Sequence, residues 1–280
     1  MTGAGTSPIA RFLQYVALII YLTFLAFPLV WLISTAFKTP PELQLLHPTI
    51  LPESLNFDNF TDAFRSQPLF RAAWNSLIIA GASSVLTVMI ATPAAYVLAR
   101  AKSKIGTVAL GWVLISQLFP FILIIIPLFL TLRTIGLANT RIGLILVYMV
   151  FSLPFALWLL QGYVKAVPET LEEAAALDGC TRGQVLRKVV GPLMLPGIVA
   201  TVLFGFLLAW NEFFFALILL KDPDIQTLPV VLVRFKGAEG VARLGPLAAG
   251  ALLATIPSLA LFALIQRKLV SGIMSGAVKG

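Results

Sequence analysis

The sequence predicts an all-α polytopic membrane protein with six transmembrane helices, and three observations carry that reading. The 280 residues are 59% hydrophobic and only 11% charged, with a mean hydropathy of +0.96, well beyond an ordinary soluble domain. Stretches free of Asp, Glu, Lys, Arg and His cover 12–37, 72–99, 105–132, 142–164, 189–211 and 244–266. Each reaches the ~20 residues that cross ~30 Å of hydrocarbon at 1.5 Å per residue. The runs are unbroken rather than alternating, which excludes a β-barrel. A backbone in lipid must then satisfy its own hydrogen bonds as helix.

The first helix is expected at about 12–37. It follows "MTGAGTSPIAR", which has one basic residue, and no small-residue cleavage site comes before the next polar segment, so it reads as a retained helix rather than a signal peptide. In the segment 38–71, Phe57, Phe60 and Phe64 recur at helical spacing beside Asp58, Asn59 and Asp62. That pattern predicts a short helix, either in the headgroup region or packed on the bundle. The second helix is placed at about 72–99 and the third at about 105–132, with the basic loop "RAKSK" between them. A turn "RTIGLANTR" leads to the fourth at about 142–164, and the fifth and sixth follow at about 197–220 and 244–266. Pro28, Pro93, Pro120, Pro127, Pro154 and Pro257 lie within these spans and predict kinks or breaks, because proline lacks a donor and clashes with the preceding turn. The whole of 1–280 reads as a single transmembrane domain.

Charge orients the chain only weakly. With the amino terminus in the cytoplasm, the inner segments hold Arg11, Arg100, Lys102, Lys104, Lys165, Arg182, Arg187, Lys188, Arg267, Lys268 and Lys279, just over half of the 20 basic residues. The net charge of +8 sits at helix ends, which fits anionic lipid headgroups and excludes nucleic acid as the natural partner. The lone Cys180 forms no internal disulfide and has no metal-ligand spacing around it. One histidine, one cysteine and no H-E-x-x-H leave little from which to build a catalytic or metal site. There is no phosphate loop either, so uphill transport would need a nucleotide on another chain.

Among the apolar spans Glu212 is the outstanding polar group, in "AWNEFFFALILL" and nine residues before Lys221. On a continuous helix that is roughly 13 Å. A charge there must face the bundle, a wet cavity or a partner. Asn211 and Glu212, with Gln117 behind them, are the candidates for lining a translocation path. The alternative is interhelical hydrogen bonding, which also suits Asn75. A proton-coupled carrier would show several intramembrane carboxylates or histidines in repeated halves, and neither is present.

The loop 165–196 holds "TLEEAAALDGCTRGQVLRKVVGPLMLP". Thr170 with Glu173 fits a capping box, Glu172 and Glu173 suit a helix amino end, and Gly179 supplies a left-handed stop, predicting a helix at about 171–178. Thr181 with Gln184 repeats the cap for a second short helix, ended by Gly191 and Pro192. The first helix carries Leu171, Ala174, Ala175 and Asp178 along one face. Alanines there admit a closely packed surface, either that of a partner or that of the chain's own helices.

These residues resemble the signature of permease subunits of binding-protein-dependent ABC importers: EAA, three residues, G, nine residues, I-x-L-P. It stands here as Glu173, Ala174, Ala175, Gly179, Val189, Gly191 and Pro192. Gly191 takes the place of the leucine. The chain is similar to the carbohydrate, maltose-type branch in "LEEAAALDGCT", "AWNEFFFAL", "LAAGALLATIP" and "QRKLVSGIMSGAVKG". The resemblance implies the type I importer permease fold, both termini in the cytoplasm and a place in the cell membrane of a prokaryote. It makes the loop at 170–192 a coupling helix, with Glu173, Ala174, Ala175, Asp178 and Gly179 docking on an ATPase. It implies a homologous second permease, a dimer of ATPase subunits that carry ATP and Mg, and an extracytoplasmic sugar-binding protein docking on 38–71 and 221–244. The chain itself would catalyse nothing and bind no cofactor. A polyol, amino sugar or glycerol phosphate could replace the sugar, and a membrane scaffold without transport is the reading from another class.

Overall fold

The computed structural model describes residues 8–101, 104–236 and 243–277; Lys102 and Lys279 lie outside them. In chain order the helices are α1 (Pro8–Phe37), α2 (Pro40–Leu43), α3 (Asp58–Ser66), α4 (Leu69–Arg100), α5 (Lys104–Ile115), α6 (Phe121–Thr134), α7 (Arg141–Ala166), α8 (Glu169–Leu177), α9 (Arg182–Val185), α10 (Gly191–Leu193), α11 (Leu195–Trp210), α12 (Phe214–Leu219), α13 (Leu228–Val233) and α14 (Leu244–Ala277). The chain forms two compact units: Met1–Leu69 with Leu232–Thr255, and Phe70–Val231 with Ile256–Gly280.

In the first unit α1 is apolar on all sides, and none of the window that could cross a membrane is buried within the chain. Such a helix suits lipid or another protein, not water. Its last turn is tied down by α3. Asn59 is buried and its Nδ2 donates to the carbonyls of Ala36 (3.0 Å) and Lys38 (2.7 Å), satisfying acceptors that every helix end leaves open. Phe37 packs its ring on Phe57 and Phe60 at 5.3 and 5.2 Å. The aromatic spacing of 57–64 is therefore helical, as expected, and α3 rests on the chain's own helix. Gly245 allows α14 to approach, because a Cβ there would overlap Asn59.

In the second unit α4, α7 and α11 build the core. Val88, Ala91 and Ala95 of α4 meet Ala156, Leu160 and Val164 of α7, with Val190 and Met194 closing the cluster. Small residues set the separation: a Cβ on Gly197 would lie about 2.4 Å from the Tyr163 ring, the close approach that glycine gives to membrane helices. Phe155 stacks on Phe204 at 4.0 Å.

Among the described residues four helices are long and apolar enough to cross a membrane by themselves: α1, α4, α7 and α14 from Leu244 to Leu264. The expected span 105–132 is not one continuous helix. It breaks between Gly111–Leu118 and Phe121–Thr134 with a bend of 98°. Pro120 caps α6, and Phe119 before it is extended at φ −72°, ψ 128°, the conformation that a following proline favours. The expected helix 197–220 also breaks, at Asn211–Phe213, so the 13 Å of continuous helix between Glu212 and Lys221 does not exist. The helices run on through Pro28, Pro93, Pro127, Pro154 and Pro257.

Candidate functional site

The charged loop folds as a helical hairpin. Pro168, not Thr170, stands at the N-cap of α8, and Thr170 lies inside the helix. Proline is favoured near a helix start because its missing N–H is one that no carbonyl would receive there. At the other end Gly179 takes φ +84°. Its amide donates to Ala176 O and that of Cys180 to Ala175 O, each at 3.0 Å, so the left-handed residue closes the helix carbonyls as expected. Thr181 and Gln184 form the second box: Thr181 N donates to Gln184 Oε1 at 2.8 Å, and Gln184 N to Thr181 Oγ1 at 3.4 Å. Gly191 and Pro192 do not end the second helical stretch. Leu186–Val190 continues as π-helix into α10, and the sharp bend, 77°, comes at Met194 where α11 begins.

The face expected along 171–178 is divided by the packing. Ala175 turns inward with Val185 onto the α4–α7 core. Leu171, Glu173, Ala174, Asp178 and Gly179 are exposed, and Leu177 is 90% exposed.

An ion-pair cluster unforeseen from the sequence fixes the hairpin. Glu172, expected only to complement the helix dipole, is 13% exposed and faces Arg100, 16% exposed, at the end of α4. Arg100 Nε and Nη2 reach Glu172 Oε1 at 2.8 and 2.6 Å, while the Tyr96 hydroxyl donates to Oε2 at 2.7 Å. The same Nη2 donates to the Val164 and Val167 carbonyls, at 3.0 and 2.7 Å, capping the end of α7. Glu169 adds a looser contact at 3.6 Å. One guanidinium thus ties three helices, which a lysine point charge could not. Between α4 and the hairpin lies a groove of about 680 Å³, walled by Tyr96, Arg100, Glu173, Cys180 and Arg182 among others. The partners are 72 residues apart, beyond the reach of periodicity or capping rules.

The other end of α4 holds a second polar site. Asn75 Nδ2 donates to the carbonyls of Asp224 and Gln226, both at 3.0 Å, Ser76 Oγ accepts from Leu228 N at 2.8 Å, and Arg71 pairs with Asp224. Asn75 to Tyr96 covers roughly 30 Å of helix, the thickness of a hydrocarbon core. The hairpin and the loop 221–227 are therefore anchored at opposite ends of one membrane-length helix.

The candidate path residues do not form one cluster. Gln117 is exposed in the turn before Pro120. Asn211 is exposed, and its Nδ2 donates to the Leu207 carbonyl at 2.8 Å. Glu212 accepts from the Tyr148 hydroxyl at 2.6 Å and from the amides of Phe215 (2.9 Å) and Ala216 (3.2 Å). Those amides lie in the first turn of α12, so Glu212 caps that helix from the non-helical residues between α11 and α12. Among the described residues no group of three His, Cys, Asp or Glu is placed to hold a metal.

Apolar membrane-length helices and a charged hairpin braced to the ends of α4 and α7 define a polytopic membrane protein. Residues 88–275 match the family described as binding-protein-dependent transport system inner membrane component, and the chain belongs to it. It is a permease component of an ABC importer. It is 57% identical over 82% of its length, and all of the relative's, to ORF1 of Streptomyces antibioticus, which is named for the ABC transporter permeases. It is 37% identical to the diacetylchitobiose uptake system permease protein DasC of Streptomyces coelicolor, over 91% of this chain and 92% of the relative. The trehalose transport system permease protein SugB of Mycobacterium tuberculosis is also 37% identical, over 90% and 92%. A chain of a bacterial ABC transporter involved in alginate import shares the fold, with a TM-score of 0.80 at 20% identity over 95% of this chain and 99% of that one.

Proposed function

We propose that the chain is one of two homologous permeases in an ATP-driven sugar importer of a prokaryotic cell membrane, coupled to a partner ATPase through the hairpin α8–α9. The observation that carries this reading is the hairpin itself: Glu173, Ala174, Leu177, Asp178 and Gly179 exposed on a helix braced to the bundle. Ala175 drops out of the docking set and serves as the packing contact that seats the helix. The sugar assignment rests on the relatives named for diacetylchitobiose and trehalose. The first of these keeps an amino sugar within the class.

ATP and Mg belong to a dimer of ATPase subunits, and this chain catalyses no step. The ATPase surface lies on the cytoplasmic side with both termini. The loop 221–227, at the far end of α4, faces the extracytoplasmic sugar-binding protein. Closure of the ATPases on ATP pushes the hairpins and turns the bundles, opening the path as the binding protein releases its sugar. Glu212 helps to hold the broken α11–α12 span.

The test is Glu173→Lys, with Gly179→Val beside it, in the complex reconstituted into liposomes. Valine at φ +84° costs at least about 1–2 kcal/mol and disturbs the end of α8. Both variants should weaken association with the ATPase and reduce uptake roughly tenfold or more, a loss of the size of ordinary intersite coupling. Undiminished association and uptake in both would refute docking by this hairpin. Uptake by the wild-type complex also separates a transporter from a scaffold.

A further inference from the structure

The hairpin can pass force to the bundle only if it does not swing independently, and its short helices cannot hold themselves. A helix of nine residues such as α8 is below the length that is stable alone in water. Ala175, Cys180, Val185 and Leu186 supply apolar seating, but apolar contact is non-directional and does not by itself fix the rotation of α8. The groove beneath, with about 680 Å³ of open space between α4 and the hairpin, leaves room for it.

We propose that Glu172, Arg100 and Tyr96 form a positioning clamp that makes α8 move as one body with the ends of α4 and α7, and that energy coupling depends on it. This rests on the docking reading above and adds to it a residue set that joins α8 to α4 and α7. The geometry is specific. Both Glu172 oxygens are engaged, one by the guanidinium and one by the tyrosine, on different turns of α4. The guanidinium then continues to two carbonyls at the end of α7. Three fixed directions of contact resist rotation of α8 where one ion pair would act as a pivot. At 13% and 16% exposure the pair is shielded enough to be stiff, whereas exposed pairs are weak and mobile.

The experiment uses the complex purified with its ATPase and the binding protein that accompanies it, with ATP as the added ligand. In Glu172→Gln the carboxamide keeps the size of the side chain and loses its charge. The ATPase should still co-purify. Amide hydrogen exchange along Glu169–Leu177 should quicken roughly fivefold or more as local opening becomes easier. The kcat of binding-protein-stimulated ATP hydrolysis should fall roughly fivefold or more, with KM for ATP unchanged, since the nucleotide sites are untouched. Glu172→Asp, which keeps the charge, should recover part of both effects. Arg100→Gln combined with Glu172→Gln should be little worse than the more severe single change, because each breaks the same unit.

Unchanged exchange along α8 in Glu172→Gln would overturn the clamp. So would unchanged stimulated kcat. Loss of ATPase association in Glu172→Gln, with association kept in Glu173→Lys, would make Glu172 a docking contact and overturn it as well. Association kept in both Glu173→Lys and Gly179→Val sinks the docking reading alone, and the exchange measurement still judges the clamp.

Discussion

Glu42 shows how one carboxylate can organise a connecting segment. It receives hydrogen bonds from Glu53 N at 2.7 Å and from Thr39 N and Oγ1 at 2.6 and 2.8 Å. These bonds, the Glu53 amide first and then Thr39, hold its carboxyl below the ordinary value, with Lys38 assisting. All of them favour the charged form. A carboxyl lowered on folding contributes stability that is complete above its unfolded value and is lost as pH falls through the folded value. The protection of the Thr39 and Glu53 amides, taken relative to the intrinsic exchange rate at each pH, should therefore fall on acidification through that range, and Glu42→Gln should flatten the dependence. An equally steep pH profile in the variant would assign the effect to another group.

At the scale of elements, the ends of α4 carry the fixings and its middle supplies the core. Asn75 joins α4 to the segment 224–226 through two donated bonds, and it is 1% exposed. Asn75→Ala leaves two carbonyls short of a donor and should cost about 2 kcal/mol, within the usual range for a buried polar group stranded by its partner's loss. Amide exchange in 221–228 should rise while that of α8 at the opposite end stays as it was. The breaks have equally local causes. Pro120 forces an extended residue before it, and Glu212 captures the first amides of α12, so each span ends where a side chain or ring outcompetes the helical bond.

For the whole molecule, the prediction concerns sidedness. The hairpin and the 221–227 loop are fixed at opposite ends of a helix that can cross a membrane, so they should be reached from opposite faces. Single cysteines at Leu177 and Asp222, in a Cys180→Ser background, should label with a membrane-impermeant maleimide from the inside and the outside respectively. Labelling of both from one side would refute the topology and, with it, the placing of the ATPase.

The class was legible because transfer to lipid is a sum over local composition: six charge-free runs announce a polytopic helical protein whatever their order in space. The caps were legible too, since Thr181, Gln184 and Gly179 act on neighbours within a few residues, and the EAA pattern resembles its family within one segment. Pro168 displaced the expected cap at Thr170, a competition between two adjacent starts that only the course of the chain after α7 decides. Which alanine of 174 and 175 faces inward depended on where α4 and α7 lie. The capping of α12 by Glu212 was not legible, because it depends on the span breaking beside it. Arg100, read from sequence only as a cytoplasmic charge, became the link between three helices. Composition and short-range hydrogen bonding are written along the chain. An ion pair across 72 residues exists only once the helices that carry it have packed.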